Sequence, residues 1–294
     1  MKHLVSLFLL SFLLCCSCSQ QMDDEWNPNE QFPNEPEMHP VGIALSRASL
    51  ETFTEQGVTE IGIYVYLKDS MVYGKNLPLN GGKLQVELPL GENLQTFAVA
   101  NADHLVDADS LSKVIIYMST DAQKQVYLSD VVDFISDKSV NNLNLELKRL
   151  VGQAVFQPKE HEDKINSITQ FDKLDVTFTN VGIAYKVKTG ECIQKDVVVS
   201  TDQTAGYIAS VYSFPTMNGA SRTSVDVTYI KNGEEVNRTN SPLDTGIAFE
   251  SSKRSIVHMY ILEEAYLQNP WNYTRTLKNK YRLSMPFTIE ESEF

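Results

Sequence analysis

The stretch TEIGIYVYL at residues 59–67 alternates without a break: Ile61, Ile63, Val65 and Leu67 fall on one face of an extended chain. A repeat of two is the signature of a strand with one face on a core. The same period recurs along the chain. Leu84, Val86 and Leu88 alternate in KLQVEL, Leu143, Leu145 and Leu147 in NNLNLELK, and Leu174, Val176 and Phe178 in KLDVTFT. Val225, Val227 and Tyr229 alternate up to Lys231-Asn232-Gly233, and Asn-Gly between extended runs is the strongest short-range hairpin signal. Residues 255–262 are apolar on both faces, as a central strand would be. Gly81-Gly82 and Thr189-Gly190 mark further turns. Two segments read as short helices: 129–137 (SDVVDFISD), with Ser129 or Asp130 as cap, and 159–169. Strands at spacings of about 8–12 residues dominate, which predicts an all-β chain of sandwich type.

The 294 residues suggest two domains or one large one, at about 100–200 residues per domain. The join is expected near Lys148-Arg149, where the alternating strand 143–147 closes and a new strand, 151–157, starts and stops at Pro158. The expected bodies are therefore 41–148 and 149–294. No short repeat is visible between them.

The first forty residues read as an address. Residues 1–14, MKHLVSLFLLSFLL, place one Lys ahead of an apolar run too short for a permanent membrane span. Cys15, Cys16 and Cys18 follow at once. Small residues beside a cysteine in this position resemble a bacterial lipobox, in which cleavage before a Cys is coupled to its acylation. Ser17 ahead of Cys18 favours a signal of 1–17 and lipidation at Cys18; Cys16, with Leu13 three residues before it, stays open as the alternative. Several acyl chains together hold a protein to lipid stably, where one alone binds reversibly. Residues 18–40 then form an acidic, proline-rich tether. It carries Asp23, Asp24, Glu25, Glu30, Glu35 and Glu37 with no Lys or Arg, and Pro28, Pro33, Pro36 and Pro40 oppose helix and ladder formation. The cluster Asp23-Asp24-Glu25 also resembles an export signal for surface lipoproteins of Bacteroides-type bacteria; plain solvation of a linker explains it equally well.

Composition excludes several functions. Hydrophobic residues at 42% and charged ones at 21% belong to a folded globular body. A net charge of −13 repels phosphate, so nucleic acid is not an expected partner. Cys192 alone remains beyond the leader, enough for neither an internal disulfide nor a metal cluster, and reads as a small buried apolar residue. His104, His161 and His258 lack ligand spacing. No catalytic residue, metal or cofactor is expected. Ser110-Leu111-Ser112-Lys113 and Lys188-Thr189-Gly190 imitate two elements of penicillin-recognising enzymes, but the Ser-Asp-Asn element is missing and Lys188 enters a turn. Trp271 and Tyr273, in the loop-like Asn269-Pro270-Trp271-Asn272-Tyr273, offer stacking surface for a glycan, although strand cores account for most of the tyrosines.

The sum of these features resembles a known family. A lipobox and acidic tether precede a first strand VGIALSR (41–47) followed by Ala48. IGIYVYL comes early in the first body, LNLELKRLVGQAVF spans the join, and DVTFTNVGIAYKVKTGE lies in the second. Over roughly residues 40–294 the chain is similar to the fimbrillin-associated family of Bacteroidales, the FimB-type minor fimbrial subunits and anchors. The resemblance implies two tandem transthyretin-like β-sandwiches, no enzymatic activity, and a place in a surface pilus of the outer membrane. Its partners would be membrane lipid through acylated Cys18, other fimbrial subunits, and an adhesion target on host or bacterial surfaces. In that family an arginine-specific protease removes the first strand, and a strand of the next subunit fills the groove; anchors escape the cut. Here the matching position is Arg47, before Ala48, and residues 281–289 (YRLSMPFTI) form either a donor strand or a plain closing strand. Asp69-Ser70-Met71 and Asp109-Ser110-Leu111 match the triplet glycosylated on hydroxyl in such bacteria. The alternative reading is a surface glycan-binding lipoprotein of a polysaccharide-uptake system, with Trp271 and Tyr273 as contacts.

Overall fold

The computed structural model describes residues 37–46, 57–79, 84–119, 124–139, 142–159, 171–216, 222–240, 247–260 and 287–293. Among them the chain forms eighteen strands and no helix. The first ten are β1 (Met38–Ser46), β2 (Glu60–Leu67), β3 (Ser70–Pro78), β4 (Leu84–Pro89), β5 (Asn93–Ala100), β6 (His104–Val106), β7 (Ile115–Tyr117), β8 (Tyr127–Ser129), β9 (Val132–Ile135) and β10 (Asn142–Arg149). The remainder are β11 (Gly152–Lys159), β12 (Lys173–Lys186), β13 (Cys192–Asp202), β14 (Ala209–Ser213), β15 (Val225–Lys231), β16 (Glu234–Asn240), β17 (Lys253–Tyr260) and β18 (Phe287–Glu293).

The alternating runs become strands because each can then bury one whole face. Ile61, Ile63 and Val65 of β2 are fully buried in a core with Val41 and Ile43 of β1, Leu84, Val86 and Leu88 of β4, and Leu143, Leu145 and Leu147 of β10. This core lies between two layers. One is β4-β1-β10, with β1 antiparallel to β4 and parallel to β10. The other is β3-β2-β5, all antiparallel, extended by β9 and β8 along successive parts of β5. β10 belongs to both layers: residues 142–146 pair with β1, then Leu147–Arg149 pair with β8. The sheet is folded over onto itself around that strand.

The second half repeats this plan. The layer β14-β11-β17 has β11 antiparallel to β14 and parallel to β17, and β18 adds to the far side of β17. Facing it is the antiparallel order β13-β12-β15-β16. Phe156, Leu174, Val176, Phe178, Val211, Val225, Val227, Tyr229, Val257 and Met259 are among the side chains of the core between them. β15 and β16 meet through Asn232-Gly233, with φ of 54° and 79°. These left-handed values suit the two-residue hairpin expected there.

A third core joins the two halves. After β5 the chain leaves the first sandwich, and residues 101–118 lie over the outer face of the β2–β5 layer. Tyr66, Phe97 and Val99 on that face pack with Leu111, Val114, Ile116 and Met118, and with Val151 and Phe214. The Phe97 ring stacks on Tyr64 at 5.3 Å and on Tyr66 at 6.0 Å. β6 and β7 in this excursion enter the second half's sheet. β7 pairs with Ala184–Lys186 of β12, above the stretch of β12 that pairs with β15. The chain then returns to the first sandwich as β8. The described residues from Met38 onward form one compact unit.

The structure corrects three local expectations. The helix expected over 129–137 is not formed: Ser129 ends β8, and Val132–Ile135 are β9, paired with β5. Ser129 caps no helix. Its Oγ accepts the Ala98 amide at 2.9 Å and donates to the Asp130 carbonyl at 3.0 Å, where β5 changes partner from β9 to β8. The first strand opens at Met38, three residues early, and Pro40 sits within it opposite Glu87. At that level β1 pairs with β4 alone, since the register with β10 starts at Gly42, so the missing proline N–H costs no bond to β10. Pro158 likewise lies inside β11, opposite Met259, and the strand ends at Lys159. Of the second expected helix, 159–169, only Lys159 is among the described residues, where it closes β11.

Candidate subunit-joining site

β1 is the first element of the folded unit, yet it occupies an interior place. Gly42, Ile43, Ala44, Leu45 and Ser46 stand opposite Asn142, Leu143, Asn144, Leu145 and Glu146 of β10. On the other side Met38 through Ile43 stand opposite Pro89 through Leu84 of β4. Both edges of the strand are thus engaged, and Val41 and Ile43 reach the core below while Leu45 packs against it. Without β1, β4 and β10 would be left apart with unpaired backbone groups on both walls. Leu84, Val86, Leu88, Leu143 and Leu145 would be uncovered. Burying the Val41 and Ile43 side chains again stabilises the sandwich by ~1.5–3 kcal/mol each. The place of β1 therefore demands an extended segment whose apolar residues recur at every second position, and Val41, Ile43 and Leu45 meet that demand.

Chain connectivity makes this slot unlike its counterpart in the second sandwich. β11 holds the equivalent position between β14 and β17, but it follows β10 after only Leu150 and Val151. Ser252 donates its amide to the Val151 carbonyl at 3.0 Å, and Leu150 donates to Val126 at 2.8 Å. β1 has covalent neighbours only in the tether and in the segment that opens with Arg47. The walls of its slot were visible in the sequence as alternating runs. Their adjacency was not, because β10 returns from about a hundred residues away and pairs in parallel.

Arg47 and Ala48 follow β1 directly and lie outside the described residues, as do Cys16, Cys18, Trp271 and Tyr273. Cys192 opens β13 opposite Tyr185 and is half-buried, with burial pushing its thiol up from the ordinary value. Among the described residues no group of three or more His, Cys, Asp or Glu is placed to hold a metal. His104 stacks on Tyr117 at 4.7 Å and meets Asp103 at 2.7 Å, exposed on β6.

The Ser-x-x-Lys imitation resolves into a structural joint. Ser110 Oγ donates to Asp69 at 2.6 Å, and the amide and hydroxyl of Ser112 donate to the same carboxylate at 2.6 and 2.8 Å. The Ser110 and Ser112 hydrogen bonds hold the Asp69 carboxyl below its usual range, and the Lys188 charge adds to this. Asp69 lies in the β2–β3 turn at φ 77°. Met71 donates its amide to Asp109, and Leu111 donates to Asp69, so the turn is clasped to the 107–113 loop. The two Asp-Ser-apolar triplets are thereby bridged to each other through Ser70 and Ser110, and the Ser110 hydroxyl is already engaged.

No protein-family model matches the chain, and no curated protein matches it in sequence. Solved structures do. The chain is similar to a candidate polysaccharide-binding protein from Bacteroides thetaiotaomicron, with a TM-score of 0.52 and 13% identity over 76% of this chain and 92% of that one. It is similar to a candidate cell adhesion protein from Bacteroides uniformis at a TM-score of 0.51, with 14% identity over 86% and 97% of the two chains. A candidate cell adhesion protein from Bacteroides eggerthii has a TM-score of 0.51 and 10% identity over 89% and 97%. At such identities what these proteins share with this chain is the fold.

Proposed function

We propose that this chain is a non-enzymatic cell-surface lipoprotein that serves as a fimbrial subunit, an outer-membrane anchor or minor component, joined to its neighbours by β-strand addition and supporting adhesion. The observation that carries the reading is the place of β1: the first described strand, held in an interior position and followed at once by Arg47. Scission after Arg47 would detach that strand without breaking any other connection in the sandwich. The slot left behind selects an extended, alternately apolar peptide through backbone bonds and side-chain pockets. Residues 281–289 supply such a pattern, with Tyr281, Leu283, Met285, Phe287 and Ile289 at every second position. The described end of that stretch, in β18, pairs with β17 at the rim of its sheet. An anchor keeps β1 and its acyl group at Cys18. In this role its own slot stays closed and accepts no strand, and it joins a neighbour by offering its C-terminal strand.

The test is the intact mass and N-terminus of the protein purified from its native envelope. An acylated Cys18 start with 41–47 retained is expected for an anchor. A start at Ala48 would make it a polymerising subunit. Recovery as a monomer alone, from cells whose fibres never contain it, would overturn the reading.

A further inference from the structure

Sheet edges are where this fold leaves backbone donors and acceptors open, and most of them are defended. The edge strand β3 carries Gly74, Lys75 and Pro78, β4 ends in Pro89, β18 carries Glu290, Glu291 and Glu293, and β6 has three residues. Short lengths, charge and proline are the usual protections against edge-to-edge pairing. β13 is different. It is eleven residues long, and among the described residues its outer edge pairs with no strand. Residues 197–202 keep an unbroken register with 178–173 of β12; the irregularities lie on the other side, beyond Phe178. This part reads Val197-Val198-Val199-Ser200-Thr201-Asp202, and Val198 is 58% exposed, beside no defending proline.

We propose that the outer edge of β13 is a docking surface for a second copy of this chain, paired antiparallel about Val198. The strand is complementary to itself in that register. Val198 meets Val198 of the second copy, Val197 meets Val199, Asp196 meets Ser200, Lys195 meets Thr201, and Gln194 meets Asp202. No like charges stand opposite each other. Moving the centre to Val199 would set Asp196 against Asp202, which is unfavourable. On the inner face, Val197 and Thr201 are already buried, so the Val197–Val199 pairs extend the second sandwich's core across the junction. On the outer face the contact covers Val198, which one copy alone leaves in water. Such a two-fold contact is isologous and closes at two chains. It joins the sheets as β15-β12-β13 followed by the same three strands in reverse, and it leaves the β1 slot free.

Sedimentation equilibrium of the full chain in mild detergent tests the pairing. A reversible monomer–dimer equilibrium is expected. Val198→Asp should raise its dissociation constant at least ~tenfold, because two carboxylates would then face each other on the axis. Met71→Asp, on the β3 edge, should leave it unchanged. Val198→Cys in a Cys192→Ser background, oxidised and digested, should yield the peptide holding position 198 linked to itself. A monomer at every concentration, a dimer that Val198→Asp leaves intact, or the absence of the 198–198 link would each overturn the proposal.

Discussion

Removing one buried hydroxyl tests how the second sandwich is held together. Ser213, the last residue of β14, is fully buried. Its Oγ accepts the Gly182 amide at 2.8 Å and donates to the Phe214 carbonyl at 2.8 Å. Gly182 lies in β12 between the stretch paired with β15 and the stretch paired with β7, so no strand serves its N–H from that side. A Cβ built on Gly182 would come within 2.9 Å of the Phe214 carbonyl oxygen, which shows how closely the two backbones approach. Ser213→Ala therefore strands a buried N–H, at a cost of about 1–3 kcal/mol. Ser129 does the same for Ala98 in the first sandwich, at 2.9 Å and 3% exposure. Ser129→Ala should lose a similar amount. Ser200→Ala is the control, since the Ser200 hydroxyl bonds Asp175 at an exposed position and such changes stay within ~0.5 kcal/mol. Urea denaturation read by circular dichroism gives the three values. If Ser213→Ala and Ser129→Ala both fell within the range of the control, the bridging role would be wrong.

Ile43→Ala should destabilise the first sandwich by about 2–4 kcal/mol, because the side chain is buried between β4 and β10; the loss is read as a lower urea midpoint at an unchanged slope. Asp69 is held below its ordinary value, so its contribution is fully present above the unfolded-state value near ~3.9 and is lost as pH falls through the lower folded value. Asp69→Asn should accordingly flatten the stability profile below about pH 4, and an unchanged acid limb would contradict this. Phe97→Ala opens the third core, where the ring stacks on Tyr64 and Tyr66. It should cost about 3–5 kcal/mol and split a single calorimetric transition into two as the halves lose their common core.

The strands themselves were legible because alternation reports burial directly. Ile61, Ile63 and Val65 had one face to offer, and the structure buries that face; Asn232-Gly233 could take two left-handed residues, and it does. Partnership was less legible. Nothing in NNLNLELK says that its first part pairs with β1 and its last part with β8, because that division depends on where other strands end. The excursion through β6 and β7 was missed for the same reason: three-residue strands have no period to detect. Ser129–Asp137 misled because serine and aspartate suit a helix start as well as a strand end, and only the Ala98 amide across the sheet decides between them. The duplication of the two sandwiches was invisible as a repeat of residues and is plain as a repeat of strand order. For the candidate site, VGIALSR was recognisable as a first strand; that it lies between β4 and β10 was not.

The parallel pairing of β1 with β10 has a mechanical consequence. The chain enters β1 at its N-terminal end, and the C-terminal end of β10 leads directly into β11 of the second sandwich. Because the two strands point the same way, tension between residue 37 and the second sandwich pulls them in opposite directions along their common axis. The rungs between Gly42–Ser46 and residues 142–146 are then loaded in shear, all together, and none is peeled ahead of the others. A hairpin in the same place would be unzipped from one end, rung by rung. Pulled through its N-terminal end, the chain meets that force with the ladder in its strongest orientation.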